Sequence, residues 1–139
     1  MKKIATLMFV AFAAFGLANG AANAAKVSPQ EVAGASTIDA SEAKKLFDQG
    51  VVFVDVRKDS DWEAGRIPNA RHIELKKVLS EDTLGKAAKK DQAVVIYCNG
   101  PSCKRSSKAC VKAVAWGYSK VYYFREGFPA WNAAGYSVE

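Results

Sequence analysis

Three short apolar runs divide the chain: VVFVDV (51–56), AVVIY (93–97) and SKVYYF (119–124). The first two are continuous rather than alternating, which marks β-strands buried on both faces. Between the runs the apolar period changes to that of a helix. SEAKKLF puts Ala43, Leu46 and Phe47 on one face, with Ser41 as the expected cap and Gly50 at the end. Asp59 or Ser60 is expected to cap a short helix that carries Trp62 and closes at Gly65. A Pro68-Asn69 turn leads to a short strand over 71–73. Residues 75–90 have helical spacing, with a split expected at Gly85. From Arg105 to Trp116 the pattern is amphipathic: Cys110, Ala113, Val114 and Gly117 on one side, Lys104, Lys108 and Lys112 on the other. GFPAWNAAG reads as a last short helix ending at Gly135, and Thr37–Asp39 as a short strand after a loose leader, 25–35. This alternation of strands and helices predicts an α/β sandwich, a mainly parallel sheet covered on both faces.

The first residues belong to another pattern. A positive MKK start, an apolar stretch Ile4–Leu17 and an Ala22-Asn23-Ala24 site read as a cleaved signal peptide over 1–24. The expected product is an exported, periplasmic chain with no stable membrane insertion after cleavage. Its leader is 25–35 and its single domain 36–139. About 115 residues suffice for one core. The formal net charge of +6 drops by two, to +4, without Lys2 and Lys3. That excess is scattered, with no basic block interleaved with aromatics, so nucleic acid is not an expected partner. Nothing in the pattern specifies an oligomeric state.

Candidate chemistry gathers in VVIYCNGPSCKRS (94–106), which holds two of the three cysteines. Cys98 ends a buried strand, and ligands of open parallel sheets collect at such carboxyl ends. The following helix aims unpaired N–H groups and its positive dipole end at the loop. With Lys104 and Arg105 nearby, the Cys98 thiol is expected below its ordinary ~8.5, ready to act as a nucleophile and to face an anion from solvent. Metal binding by Cys98 and Cys103 lacks further ligands, His72 being the only histidine. Cys110 falls on the buried helix face and is expected to be inert.

The wider pattern resembles the single-domain rhodaneses. VDVR (54–57) with DWEAGRIPNA (61–70), YC (97–98) and EGFPAWNAAGYSV (126–138) are similar, in the right order, to three motifs of that family. The resemblance implies a rhodanese-like three-layer sandwich with a mainly parallel five-stranded sheet and helices on both faces. It also implies a sulfurtransferase that moves a sulfane sulfur from thiosulfate or a similar small anionic donor to a thiol or cyanide acceptor. The carrier would be a persulfide on Cys98, with no cofactor. Asn99, Gly100, Ser102, Cys103, Lys104 and Arg105 would form the substrate-binding loop. Its N–H groups would cradle the sulfur, and its two cations would attract the donor.

The departures fall in that loop. Most rhodaneses read C-x4-R, and here Cys103 takes the arginine position. Related phosphatases read C-x5-R, but that position is Lys104, which lacks the bidentate fork suited to phosphate. Arg66, Asn69 and Glu126 replace a histidine and two glycines of the flanking motifs. Cys103 is therefore a candidate resolving thiol, and the alternative function is a dithiol redox protein built on a Cys98–Cys103 pair. Asp55 and Arg57 are read as holding the wall of the site with local backbone and Glu63, and His72 as a satisfied rim histidine. Trp62, Trp116 and Trp131 are read as packing, and Tyr122 and Tyr123 as alternating across their strand, one facing in and one out.

Overall fold

The computed structural model describes residues 27–139, so the expected signal peptide lies outside the described residues. Five strands, β1 (Ala35–Thr37), β2 (Val52–Asp55), β3 (Arg71–His72), β4 (Val94–Tyr97) and β5 (Val121–Phe124), form one sheet of order β1-β5-β4-β2-β3. Every pairing is parallel. The continuous apolar runs have the expected cause: β4 is central, and all four of its residues are buried.

Successive side chains on a strand leave by opposite faces, and each face builds its own core. On one, Val54, Val94, Ile96 and Tyr123 meet Leu84 of α3 (Glu81–Ala87) and Ala109, Cys110 and Ala113 of α4 (Arg105–Ala115). On the other, Phe53, Val95, Tyr97 and Phe124 meet Ala43 of α1 (Ala40–Asp48) and Trp131 of α5 (Gly127–Ala133). Trp131 is fully buried, meets Phe47 and Phe53 edge to face, and donates its indole N–H to the Ser137 carbonyl. The result is the three-layer sandwich that the resemblance implies.

Several local expectations shift. The first strand is Ala35–Thr37, which pairs with Val121–Tyr123, and not Thr37–Asp39. Asp39, not Ser41, caps α1: its carboxylate accepts the Glu42 N–H at 2.8 Å and the Ser41 hydroxyl at 3.0 Å. Lys58 holds the cap position of α2 (Asp59–Ala64), and Asp59 and Asp61 fall in the first turn, where the dipole favours them. Gly85 lies inside α3 without splitting it, since it faces open space while a Ser80–Thr83 capping box and buried Leu84 hold the helix. Tyr122 and Tyr123 do leave by opposite faces, yet each packs against a core, because both faces are covered.

The segment before β1 is docked rather than loose. Val32 and Ser28 are buried. The Pro29 carbonyl accepts the Tyr123 hydroxyl at 2.8 Å, and the Ser28 carbonyl accepts Arg125 Nη2 at 3.0 Å. Backbone carbonyls bonded to polar tips recruit this stretch, and no periodic pattern announces them.

Candidate active site

The chain runs from β2 outward to β3 and from β4 the other way to β5. Adjacent β2 and β4 therefore part at their carboxyl ends, the switch point where open parallel sheets bind ligands. Asp55, Arg57 and Cys98 stand there.

Cys98 is fully buried. The backbone N–H of Ser106, in the first turn of α4, donates to Cys98 Sγ at 3.4 Å; the Ser106 hydroxyl lies 3.2 Å from the sulfur and the Cys103 carbonyl 3.5 Å. Ser106 is itself buried. The spacing concealed it, because eight residues separate it from Cys98; its signal was a small hydroxyl residue in the first helical turn.

The loop between them is clamped on all sides. The Cys103 N–H closes a turn on the Gly100 carbonyl at 2.9 Å, and Gly100 takes a positive φ of 109°. The Phe128 N–H, at the start of α5, binds the Cys98 carbonyl at 2.9 Å. Gly127 makes that approach possible: a Cβ there would lie 2.1 Å from the same carbonyl oxygen. From the docked segment, the Ser28 N–H and hydroxyl both donate to the Pro101 carbonyl, at 2.7 and 3.0 Å. Asn99 is tied at both ends of its amide, accepting from Arg57 at 3.2 Å and donating to Asp61 at 3.0 Å.

Cys103 lies half-buried inside this turn. Its carbonyl lies 3.5 Å from Cys98 Sγ, and the Cys98 thiol and the backbone N–H groups of Asn99 and Arg105 favour the charged form of its sulfur. The bond from Cys98, then those N–H groups and the Arg105 charge, draw Cys103 down to about 6 against the cost of burial. Cys98 moves up instead, since the bond to Cys103 and burial both keep its proton in place. That reverses the expectation of a depressed Cys98. Burial and the neighbouring thiol thus favour the neutral form of Cys98, and the backbone N–H groups favour the charged form of Cys103.

The cations are placed differently from expectation. Arg105 turns away from the loop: its Nη1 donates to the Val56 carbonyl at 3.1 Å and to Glu74 Oε1 at 2.5 Å. Lys104 caps α4 with its backbone and is exposed, as is Ser102 at the loop tip. Beside Arg105, a cleft of about 340 Å³ is lined by Lys58, Lys76 and Lys77 together with Ser60 and the carboxylates of Asp59 and Glu74.

Asp55 and Arg57 form a buried ion pair, Nε reaching both carboxylate oxygens at 3.1 and 3.0 Å and Nη2 at 2.7 Å. Arg57 also donates to the Gly65 carbonyl at 2.6 Å and stacks over Phe128. They do hold the site wall, with Gly65 and Asn99 as partners in place of Glu63. His72 lies 2.9 Å from the Arg57 carbonyl and stacks flat on Trp62, whose ring also carries the Arg66 guanidinium. Cys110 is buried, which pushes its thiol up and leaves it inert. Among the described residues no three His, Cys, Asp or Glu side chains are grouped to hold a metal, and no helix is long and apolar enough to cross a membrane.

The family model of the Rhodanese-like domain matches residues 39–134. The chain belongs to that family. It is 30% identical over 121 residues to the mitochondrial protein HIGH ARSENIC CONTENT 1 of Arabidopsis thaliana, covering 81% of this chain and 70% of that one. It is 32% identical over 96 residues to the thiosulfate sulfurtransferase GlpE of Pseudomonas savastanoi pv. phaseolicola, covering 69% and 86%. Among solved structures, the BH2092 protein of Bacillus halodurans superposes with a TM-score of 0.67 at 28% identity, over 76% and 77% of the two chains. At the level of family, this single-domain rhodanese is a sulfurtransferase, which implies a sulfur donor and an acceptor.

Two consequences of the clamped loop can be measured in this rhodanese. Gly127→Ala sets a Cβ into the Cys98 carbonyl and a side chain on a φ of 62°. Chemical denaturation should show a loss of about 2 kcal/mol or more. Arg105, with the Lys77 and Lys76 N–H groups, holds the Glu74 carboxyl at about 2 instead of 4.5. A depressed carboxyl stabilises the fold fully above its unfolded value and loses that effect as pH falls through the folded one. Wild type should therefore lose stability relative to Glu74→Gln as pH drops from 4.5 to about 2, read from urea melts at each pH.

Proposed function

We propose that this rhodanese takes a sulfane sulfur from thiosulfate, or a donor of the same charge and shape, onto Cys98 and passes it to a thiophilic acceptor. The observation that carries the reading is the place of Cys98: at the end of the central strand, at the switch point, its sulfur held by the first turn of α4.

Attack requires the Cys98 thiolate. The Cys103 thiolate, hydrogen-bonded to Cys98, is the base that takes the proton as the donor arrives. Cys98 Sγ then bonds to the outer sulfur of thiosulfate. The sulfur–sulfur bond of the donor breaks, and sulfite departs with the electron pair. An acceptor thiolate or cyanide removes the outer sulfur and returns Cys98. Lys58, Lys76 and Lys77 draw the anionic donor towards the loop, and Arg105 supports their cleft through Glu74. In an assay of thiosulfate:cyanide transfer, Cys98→Ser should lower activity by about three orders of magnitude or more; a variant that keeps wild-type activity would make another residue the carrier.

The contact between the thiols also favours a second reading, a dithiol redox protein. Release of sulfite when the reduced protein meets thiosulfate decides for sulfur transfer. The MKK start, apolar stretch and Ala22-Asn23-Ala24 site support a periplasmic setting as part of the same proposal. The check is a mature N-terminus at Ala25 in the periplasmic fraction; a chain that keeps Met1 in the cytoplasm refutes it.

A further inference from the structure

We propose that Cys103 resolves the persulfide on Cys98, closing a Cys98–Cys103 disulfide and expelling the outer sulfur as hydrogen sulfide. The proposal rests on the sulfur-transfer reading and adds an activity to it: reduction of sulfane sulfur within one loop.

The site of Cys103 carries the argument. Cys103 is half-buried between the turn that its N–H closes on Gly100 and the helix that starts at Arg105, so it occupies the place that a helix start and tight turn build for an anion. The Cys103 N–H is spent on the Gly100 carbonyl, and the Arg105 guanidinium on Glu74 and Val56. An outer sulfur on Cys98 therefore meets a cradle already filled by a second sulfur. Cys98 Sγ lies 3.5 Å from the Cys103 carbonyl oxygen, and the Cys103 side chain packs against the buried cluster that contains Cys98, so the second thiol stands beside the sulfur to which a disulfide would bond. The turn that closes at Gly100 brings the two cysteines together across a separation of five positions.

The step balances. Cys103 as thiolate attacks Cys98 Sγ, a bond forms between the two cysteine sulfurs, and the bond from Sγ to the outer sulfur breaks. The outer sulfur leaves as HS⁻ with the electron pair and the persulfide proton. It gains two electrons, and the two cysteines are oxidised to the disulfide. A dithiol reductant then restores both thiols by exchange. Over one cycle, thiosulfate and a dithiol become sulfite, hydrogen sulfide and a disulfide.

The test mixes reduced full-length protein with thiosulfate, without cyanide or added thiol. Sulfite, sulfide and intact mass are followed for wild type, Cys103→Ser and Cys103→Ala. Wild type should release sulfide in step with sulfite and end two hydrogens lighter, at a rate independent of protein concentration. The variants lose the base together with the resolving thiol, so they should release sulfite more slowly, give no sulfide, and keep one extra sulfur on Cys98 until a thiol is added; sulfide released in step with sulfite by either variant overturns the proposal. Sulfite release by wild type with the sulfur retained and no sulfide overturns the resolving role and leaves sulfur transfer standing. Fragment masses that place the sulfur on Cys103 overturn it too, in favour of a relay. No sulfite from wild type removes the sulfur-transfer reading and this proposal together. The ratio of sulfide to sulfite in wild type decides the matter even if both variants misfold.

Discussion

The buried pair of Asp55 and Arg57 is the constraint on which the site hangs. Two opposite charges at the end of β2 have left water almost completely. That is tolerable only because, among the described residues, no buried side-chain nitrogen or oxygen lacks a hydrogen-bond partner. Arg57 satisfies the Asp55 carboxylate, the Gly65 carbonyl behind α2 and the Asn99 amide in the loop, and its flat guanidinium lies against Phe128 of α5. One side chain thus links β2, α2, the loop after β4 and α5. Removing either partner would strand a buried charge, a penalty of about 3–5 kcal/mol in such settings.

The loop is clamped from one side by Arg57, from another by Gly127 and Phe128, and from a third by Ser28, so its shape is set by contacts from three other parts of the chain. Inside that shape the decisive contrast is between the two thiols, one pushed towards its neutral form and the other towards its charged form. Burial and the bond to Cys103 keep the proton on Cys98, and two backbone N–H groups draw the charge to Cys103. A loop with arginine at the Cys103 position would leave the nest to the outer sulfur of a persulfide. Here Cys103 stands in that place, so under the proposed function the altered residue bears on both halves of the chemistry: it takes the proton from the carrier and waits beside the carrier's sulfur.

Much of this was legible in the chain. Continuous apolar runs announced β2, β4 and β5, since a parallel sheet covered on both faces tolerates no polar alternation. The place of Cys98 at a strand's end announced the site. Helix boundaries were less legible where a polar residue could serve in two ways: Asp39 and Ser41 both suit a helix start, and only the direction in which the chain enters α1 selects Asp39.

The pattern of apolar residues determined by itself where β2, β4 and β5 lie and that both faces of the sheet are covered, and Cys98 at the end of β4 marked the chemistry, because these follow from features within a few residues; the bounds of β1 did not follow from it. The direction of the Cys98 shift, the use of Arg105 as a brace for Glu74, and the docking of Ser28 on Pro101 were decided only by the tertiary structure. Each depends on a partner distant in the chain or on the exact turn of a loop. A charge near a cysteine in the chain is not a charge near its sulfur in space. The difference comes from desolvation and hydrogen bonding, which act over a few ångströms and have no counterpart in residue spacing.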